Sequence, residues 1–297
     1  MSRAPDIVLG ERRALRAGVQ RVPPHLYFVA SAVFHYLGPA FAVLLFGAIA
    51  PLGVAWLRIA SAAAVFALWR RPWRFFPRLS RRERWSVIGL GIVLAAMNSV
   101  FYLALARLPL GTVGAIEFLG PIGLALVGMR SPRNWAALIL AVAGVYVLTD
   151  LRIVGEPLGY AFAFANCALF VVYVVLGHRI AESGGAGGID RLALAMLIAM
   201  AAALPIGFAD AVPAFASAKL LAAGIGVGIC SSVIPYVCDQ LAMARLPRAT
   251  FALMLALLPA MATIIGIVVL RQIPTTIEVL GVGLVIAGVA VHRAEAR

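Results

Sequence analysis

From about residue 25 to residue 292 the chain is a succession of apolar stretches separated by short polar or basic breaks. Ten can be delimited, at about 25–46, 51–70, 85–106, 110–129, 133–149, 157–178, 190–208, 219–243, 248–270 and 275–292. An α-helix rises 1.5 Å per residue, so roughly 20 apolar residues cross a hydrocarbon core of about 30 Å. The pattern predicts an all-α membrane protein with ten transmembrane helices.

Composition excludes the soluble alternatives. Hydrophobic residues make up 63% of the chain and charged residues 12%, too few to build a polar exterior. A net charge of +13 would suit nucleic acid, but its placement points elsewhere. With the N-terminus inside, twenty of the 25 Lys and Arg fall on the predicted cytoplasmic side and four on the other, while Arg58 lies within a span. This is the positive-inside bias, with both termini cytoplasmic and no nucleic-acid partner. The arm 1–24 is polar and basic, suited to an anionic lipid surface. Arg70 to Arg84, with Trp73, Phe75, Phe76 and Trp85, reads as an interfacial anchor. The first apolar run is longer than the core of a cleavable signal, so it is expected to stay as a helix. Cys167, Cys230 and Cys238 fall inside spans and read as buried thiols rather than a metal or redox set.

The chain also repeats itself. Ala104-Leu105-Ala106-Arg107-Leu108-Pro109 recurs 138 residues later as Ala242-Met243-Ala244-Arg245-Leu246-Pro247. Thr112 and Pro121 map to Thr250 and Pro259 at the same offset, and Ala143-Gly144-Val145 recurs as Ala287-Gly288-Val289. Ala32-Val33-Phe34 resembles Ala168-Leu169-Phe170 near the start of each half. The expected division is an arm 1–24, a first five-helix repeat 25–150 and a second repeat 151–297. Five is odd, so the repeats are inverted. Inverted repeats imply a solute site near the midplane and alternating access.

The segment Ala104 to Leu126, ALARLPLGTVGAIEFLGPIGLAL, with the duplicated ten-span plan, resembles the EamA-type branch of the drug/metabolite transporter superfamily. The run Glu117-Phe118-Leu119-Gly120-Pro121 after Leu108-Pro109-Leu110-Gly111 is similar to the neutral and aromatic amino-acid exporters and the threonine/homoserine exporters of that branch. The resemblance implies a bacterial inner-membrane exporter with a central cavity between two halves. The second copy departs from the first in carrying Leu255 where the first has Glu117.

Ionisable groups inside a membrane normally face a cavity or a partner. His35, Arg58 and Glu117 lie deep in their spans. Arg58 and Glu117 each stand seven residues past the outer start of a span, about 10 Å below the boundary. Equal depth permits an ion pair or a shared polar cavity. His35 and Glu117 are the candidate proton carriers. Helix faces supply further candidates for the substrate path: Asn98 and Tyr102; Asn166, Phe170 and Tyr173; Ser232, Tyr236 and Gln240; with Tyr36, Phe41 and Phe118 as aromatic lining. Asp239 is expected to pair with a cytoplasmic Arg. Pro39, Pro121, Pro235 and Pro259 leave the carbonyls of His35, Glu117, Ser231 and Leu255 without their usual donors. These prolines, with Gly38 and Gly120, are the expected hinges, and the freed carbonyls are candidate acceptors for a substrate ammonium.

No Walker motif, His-Glu-x-x-His, Gly-x-Ser-x-Gly or metal constellation occurs. The expectation is a transporter that exports amino acids, neutral/aromatic or threonine-like, as a monomer or homodimer without cofactor or metal. Multidrug or other metabolite efflux on the same fold, an intramembrane enzyme, and a channel or scaffold are the alternatives.

Overall fold

The computed structural model describes residues 23–120, 123, 131–150, 156–181, 186–243 and 257–291. Among these residues the protein is helical and has no strand. The helices are α1 (Pro24–Leu45), α2 (Pro51–Arg70), α3 (Arg81–Leu105), α4 (Leu110–Glu117), α5 (Pro132–Asp150), α6 (Pro157–Ala181), α7 (Ala186–Phe215), α8 (Ala218–Gly228), α9 (Ile234–Met243), α10 (Leu257–Leu270) and α11 (Thr276–Val291). A π-turn, Ile229–Val233, joins α8 to α9 in one rod. Six described helical segments, counting that rod once, are long and apolar enough to cross a membrane, and three shorter apolar helices accompany them.

Local chemistry sets the ends. Proline opens α1 and α2, where a missing N–H costs nothing. Ser80 and Glu83 form a reciprocal capping box at the start of α3: Glu83 N–H donates to Ser80 Oγ at 3.3 Å and Ser80 N–H to Glu83 Oε2 at 2.9 Å. Thr275 and Glu278 do the same for α11. One expectation needs correcting. Hydropathy delimits the seventh stretch at about 190–208, but α7 continues to Phe215 through Pro205 and Pro213. In lipid, unwinding exposes several backbone groups, whereas each proline forfeits one bond, so the helix carries on.

The helices pack in pairs: α2 along α7, α3 between α6 and α7, α1 against the α8–α9 rod, α4 against α10, and α5 against α11. Small residues make the closest crossings. A β-carbon at Gly53 would strike the Asp210 backbone, and one at Gly207 would strike that of Leu52, so α2 and α7 touch main chain to main chain. The outer surface is apolar: Leu44, Leu68, Ile139 and Val268 are 60%, 80%, 64% and 73% exposed, the mark of a lipid-facing wall.

Charges gather at one end, where Arg70 pairs with Asp190 at 2.6 Å and Arg191 pairs with Glu83. These bonds tie the end of α2 to the starts of α3 and α7. At the opposite end, Leu110 N–H donates to Gln272 Oε1 at 3.1 Å, joining the α3–α4 and α10–α11 connections.

Candidate functional site

A cavity of about 280 Å³ lies inside the bundle. Its walls come from α1 (Phe28, Ser31, His35, Pro39), α2 (Arg58), α3 (Met97, Asn98, Phe101) and the α4 end (Glu117, Phe118). Asn166, Phe170, Tyr173 and Val174 on α6, Tyr236 on α9 and Leu258 on α10 complete them. Aromatic and aliphatic groups predominate, and Arg58 and Glu117 stand among them.

Arg58 is 5% exposed. Its Nε–H donates to Ser232 Oγ and its Nη2 to the Ser231 carbonyl, both at 3.1 Å. Its guanidinium lies 5.6 Å from the centre of the Tyr102 ring. A guanidinium carries five N–H donors, so these bonds aim the group and leave others for the chamber. Pro235 supplies the reason a carbonyl is available: it has no N–H to give Ser231, four residues earlier. A β-carbon on Gly38 would come within 2.8 Å of Ser231 N, so α1 fixes the π-turn from the other side.

Glu117 is 4% exposed and is the last residue of α4, which breaks at Phe118. Its Oε1 accepts from Asn166 Nδ2 at 3.1 Å, while its Oε2 is enclosed with no hydrogen-bond partner. The carboxylate also stands at the carbonyl end of its helix, where the backbone dipole favours a cation. Arg58 and Glu117 both line this one cavity, yet no ion pair joins them. Each charge sits on an early helix and is gripped by a later one: Arg58 by the π-turn, Glu117 by α6.

The other candidates divide. His35, Asn98, Phe118, Asn166, Phe170, Tyr173 and Tyr236 line the chamber, as does Pro39. Phe170 stacks on Tyr173 at 5.7 Å, and Phe118 meets Phe170 edge-on at 6.4 Å. Asn98 turns its Nδ2 to the Leu94 carbonyl of its own helix at 2.7 Å. Ser232 is not in the wall and acts through Arg58. Tyr36 and Tyr102 are fully buried off the chamber: Tyr36 packs against Gly114, and Tyr102 lies beneath Arg58. Phe41 is 42% exposed on the outer surface, two residues past Pro39 and on another face. The Ser231 carbonyl, expected to be open to substrate, is taken by Arg58. Cys167 is buried, but Cys230 and Cys238 are only half-buried. Gly38 and Gly120 are close-packed, against the π-turn and Cys167 respectively. Pro235 lies one residue into α9, and Pro259 lies within α10. Pro121, the arm up to residue 22 and the side chains of Asp239 and Gln240 lie outside the described residues.

Sequence reading missed Phe28, Ser31, Met97, Phe101, Val174 and Leu258. The signal was present on α1, where Phe28, Ser31 and His35 follow i, i+3, i+7 spacing. A smaller cavity of about 200 Å³ beside Gln272 has one carboxylate in its wall, Glu278, which is committed to capping α11.

A bundle of membrane helices around a central chamber, with unlike charges held apart in its wall, fits a solute transporter. The EamA-like transporter family model matches residues 157–293. The threonine/homoserine exporter RhtA of Escherichia coli (strain K12) is 32% identical over 84% of this chain and 84% of its own length. RhtA of Salmonella typhimurium (strain LT2) gives the same figures. A solved crystal structure superposes with a TM-score of 0.58 at 21% identity, covering 90% of this chain and 95% of that one, a likeness of fold alone. The chain belongs to the EamA-like transporter family.

Proposed function

We propose that this protein exports amino acids, neutral or threonine-like, from the cytoplasm by alternating access through the chamber. One observation carries the reading: a buried cation and a buried anion share a cavity without pairing. A zwitterion suits that arrangement, its carboxylate on the Arg58 guanidinium and its ammonium on the Glu117 carboxylate. Phe28, Phe101, Phe118, Phe170 and Leu258 leave an apolar space for the side chain. An empty unpaired charge costs about 2.5–3.5 kcal/mol in a membrane helix, which argues for a ligand that relieves it. The names of the RhtA relatives point to the same substrate class.

The proposed frame is ten spans in two inverted repeats, 25–150 and 151–297, with the arm 1–24 and both termini cytoplasmic. The packing supports it. Exchanging the halves, with the α8–α9 rod counted as one span, turns the α3–α6 contact into that of the rod with α1, and the α3–α7 contact into α8–α2. It leaves α2–α7, α4–α10 and α5–α11 as pairs with themselves. Gly144 packs on Gly281 and Val285, while Gly288 packs on Ala137 and Ala141, the same contact read from both sides. The ion-paired end holds Arg70, Glu83, Asp190 and Arg191, all on the face that the Arg distribution assigns to the cytoplasm.

The test is counterflow in proteoliposomes. Labelled threonine should exchange against unlabelled threonine, homoserine or phenylalanine. The methyl ester and the N-acetyl derivative of the same amino acid, each lacking one charge, should fail to compete. Equal competition by the blocked forms would refute two-point recognition, and preferential exchange of lipophilic cations would favour multidrug efflux.

A further inference from the structure

The connection from α2 to α3 carries charge that the protein itself does not answer. Seven arginines stand between Arg70 and Arg84, and Glu83 is the one acid among them. Arg70 is taken by Asp190, and Glu83 by Ser80 and Arg191. Arg84 turns back on the connection: its Nη2 donates to the Pro77 carbonyl at 2.9 Å, and its guanidinium lies 5.3 Å from the centre of the Phe76 ring. Arg71, Arg74, Arg78, Arg81 and Arg82 remain. All five are exposed, and none of their guanidinium groups has a hydrogen bond, ion pair or ring contact among the described residues.

The backbone holds these groups outward. Arg71 ends α2 in the left-handed region, at φ 49°, and the turns Pro72–Arg74 and Phe76–Arg78 follow as short 3-10 helices. Pro72 and Pro77 stop either long helix from running through. Pro72 and Leu79 are buried, and the first turn packs on α7, so the connection is pinned to the bundle. Arg81 and Arg82 stand in the first turn of α3, where the backbone dipole disfavours cations. Five like charges within twelve residues repel one another until anions come between them.

The aromatic side chains say which anions. Trp73, Phe76 and Trp85 are exposed among the arginines, and Leu68 and Trp69 carry the lipid-facing wall of α2 up to them. Tryptophan at the end of a membrane wall sits at headgroup depth, and a guanidinium grips phosphate through parallel hydrogen bonds. A soluble acidic partner would answer the charge and leave the tryptophans beside it in lipid. We infer that this connection is a docking site for anionic phospholipid, with leaflet phosphates on Arg71, Arg74, Arg78, Arg81 and Arg82 and with Trp73 and Trp85 among the headgroups. A positive-inside bias orients a protein in any bilayer, whereas this arrangement selects among lipids. It also gives lipid a structural part, because the connection joins α2, which carries Arg58, to α3, and the Arg70–Asp190 and Glu83–Arg191 pairs flank it. This docking is independent of the solute the chamber carries.

The test is quenching of tryptophan fluorescence in phosphatidylcholine liposomes that contain a growing fraction of brominated lipid. In the wild type, brominated phosphatidylglycerol should quench at a far lower fraction than brominated phosphatidylcholine, and added salt should narrow the gap. Each arginine changed to Gln should weaken the preference about fivefold, and Arg→Gln at positions 71, 74, 78, 81 and 82 together should abolish it. Arg→Lys at the same positions should keep most of it. Trp73→Phe with Trp85→Phe should remove the selective part of the signal, which places the lipid at the connection. Phosphatidylglycerol added to the detergent-solubilised wild type should raise its melting temperature more than phosphatidylcholine does, a measurement that needs no variant. Equal quenching by the two brominated lipids, equal melting temperatures in both, a preference that survives the five Gln substitutions, or selective quenching that persists without Trp73 and Trp85 would overturn the inference.

Discussion

Where α2, α3 and α7 meet at the end of the bundle, unlike charges answer each other: Asp190 holds Arg70, and Glu83 holds Arg191 while capping α3. In the chamber, Arg58 and Glu117 are more buried than Asp190 or Glu278, yet each turns to a neutral partner. The groups are alike and the solutions are opposite. At the end of the bundle the ions satisfy one another and the result is structure. In the chamber, serine, asparagine and a carbonyl hold the ions in place without neutralising them, which leaves both charges to the proposed substrate. A buried charge without a charged partner is expensive, and that cost is what the proposed binding of a zwitterion would relieve.

The strongest test of this contrast exchanges the two chamber charges. If Arg58 and Glu117 were partners, Arg58→Glu combined with Glu117→Arg would restore function. The geometry predicts that it will not, because a carboxylate at position 58 would face the Ser231 carbonyl. Counterflow should fall about 100-fold or more, in line with the roughly 3–5 kcal/mol cost of breaking a buried charge interaction. Recovery of transport by the double variant, in protein that elutes as the wild type does, would return the pair to a structural role.

A smaller effect is expected from the support beneath Arg58. Ser232→Ala removes one of the two bonds that aim the guanidinium. The KM for amino acid should rise about three- to tenfold, the range for one hydrogen bond, with kcat nearly unchanged. Ser232→Thr keeps the hydroxyl and should recover most of the loss. An unchanged KM in Ser232→Ala would mean that the Ser231 carbonyl alone positions Arg58.

Much of this contrast can be read in the chain, and the unread part has a common cause. Arg58 and Glu117 stand out because charges are rare within apolar stretches and both stand seven residues past the start of one. The Asn166, Phe170 and Tyr173 stripe lines the chamber as helical spacing requires, because α6 is regular throughout. The expected stripe of Ser232, Tyr236 and Gln240 fares differently, since it crosses the π-turn. A wider turn shifts the register of the residues beyond it, so Ser232 meets Arg58 while Tyr236 faces the chamber. Tyr36 and Tyr102 show a second limit. Periodicity gives a face but not its neighbour, and these faces met another helix before they met the cavity. The Ser80–Glu83 and Thr275–Glu278 boxes are legible in the sequence as Ser/Thr-x-x-Glu, and they mark helix starts more sharply than hydropathy does.

The smallest effect belongs to the paired end and completes the contrast. Glu83 is held below the ordinary carboxylate value of 4.5, first by the Ser80 backbone N–H, then by the Ser80 side chain and by Arg191. A carboxyl group depressed in the folded protein stabilises the fold at pH values above its unfolded value. That contribution disappears as the pH falls through the lower folded value. Glu83→Gln should therefore lower the melting temperature in detergent by about 1–2 °C at neutral pH, since surface capping and ion pairing are individually weak. The difference from wild type should close once the medium is acid enough to protonate Glu83 in both states. Transport by the variant should match wild type, because Glu83 touches Ser80 and Arg191 and nothing in the chamber. A transport defect at unchanged melting temperature would show that the paired end also works as a gate, and the division between structural and functional charges would have to be redrawn.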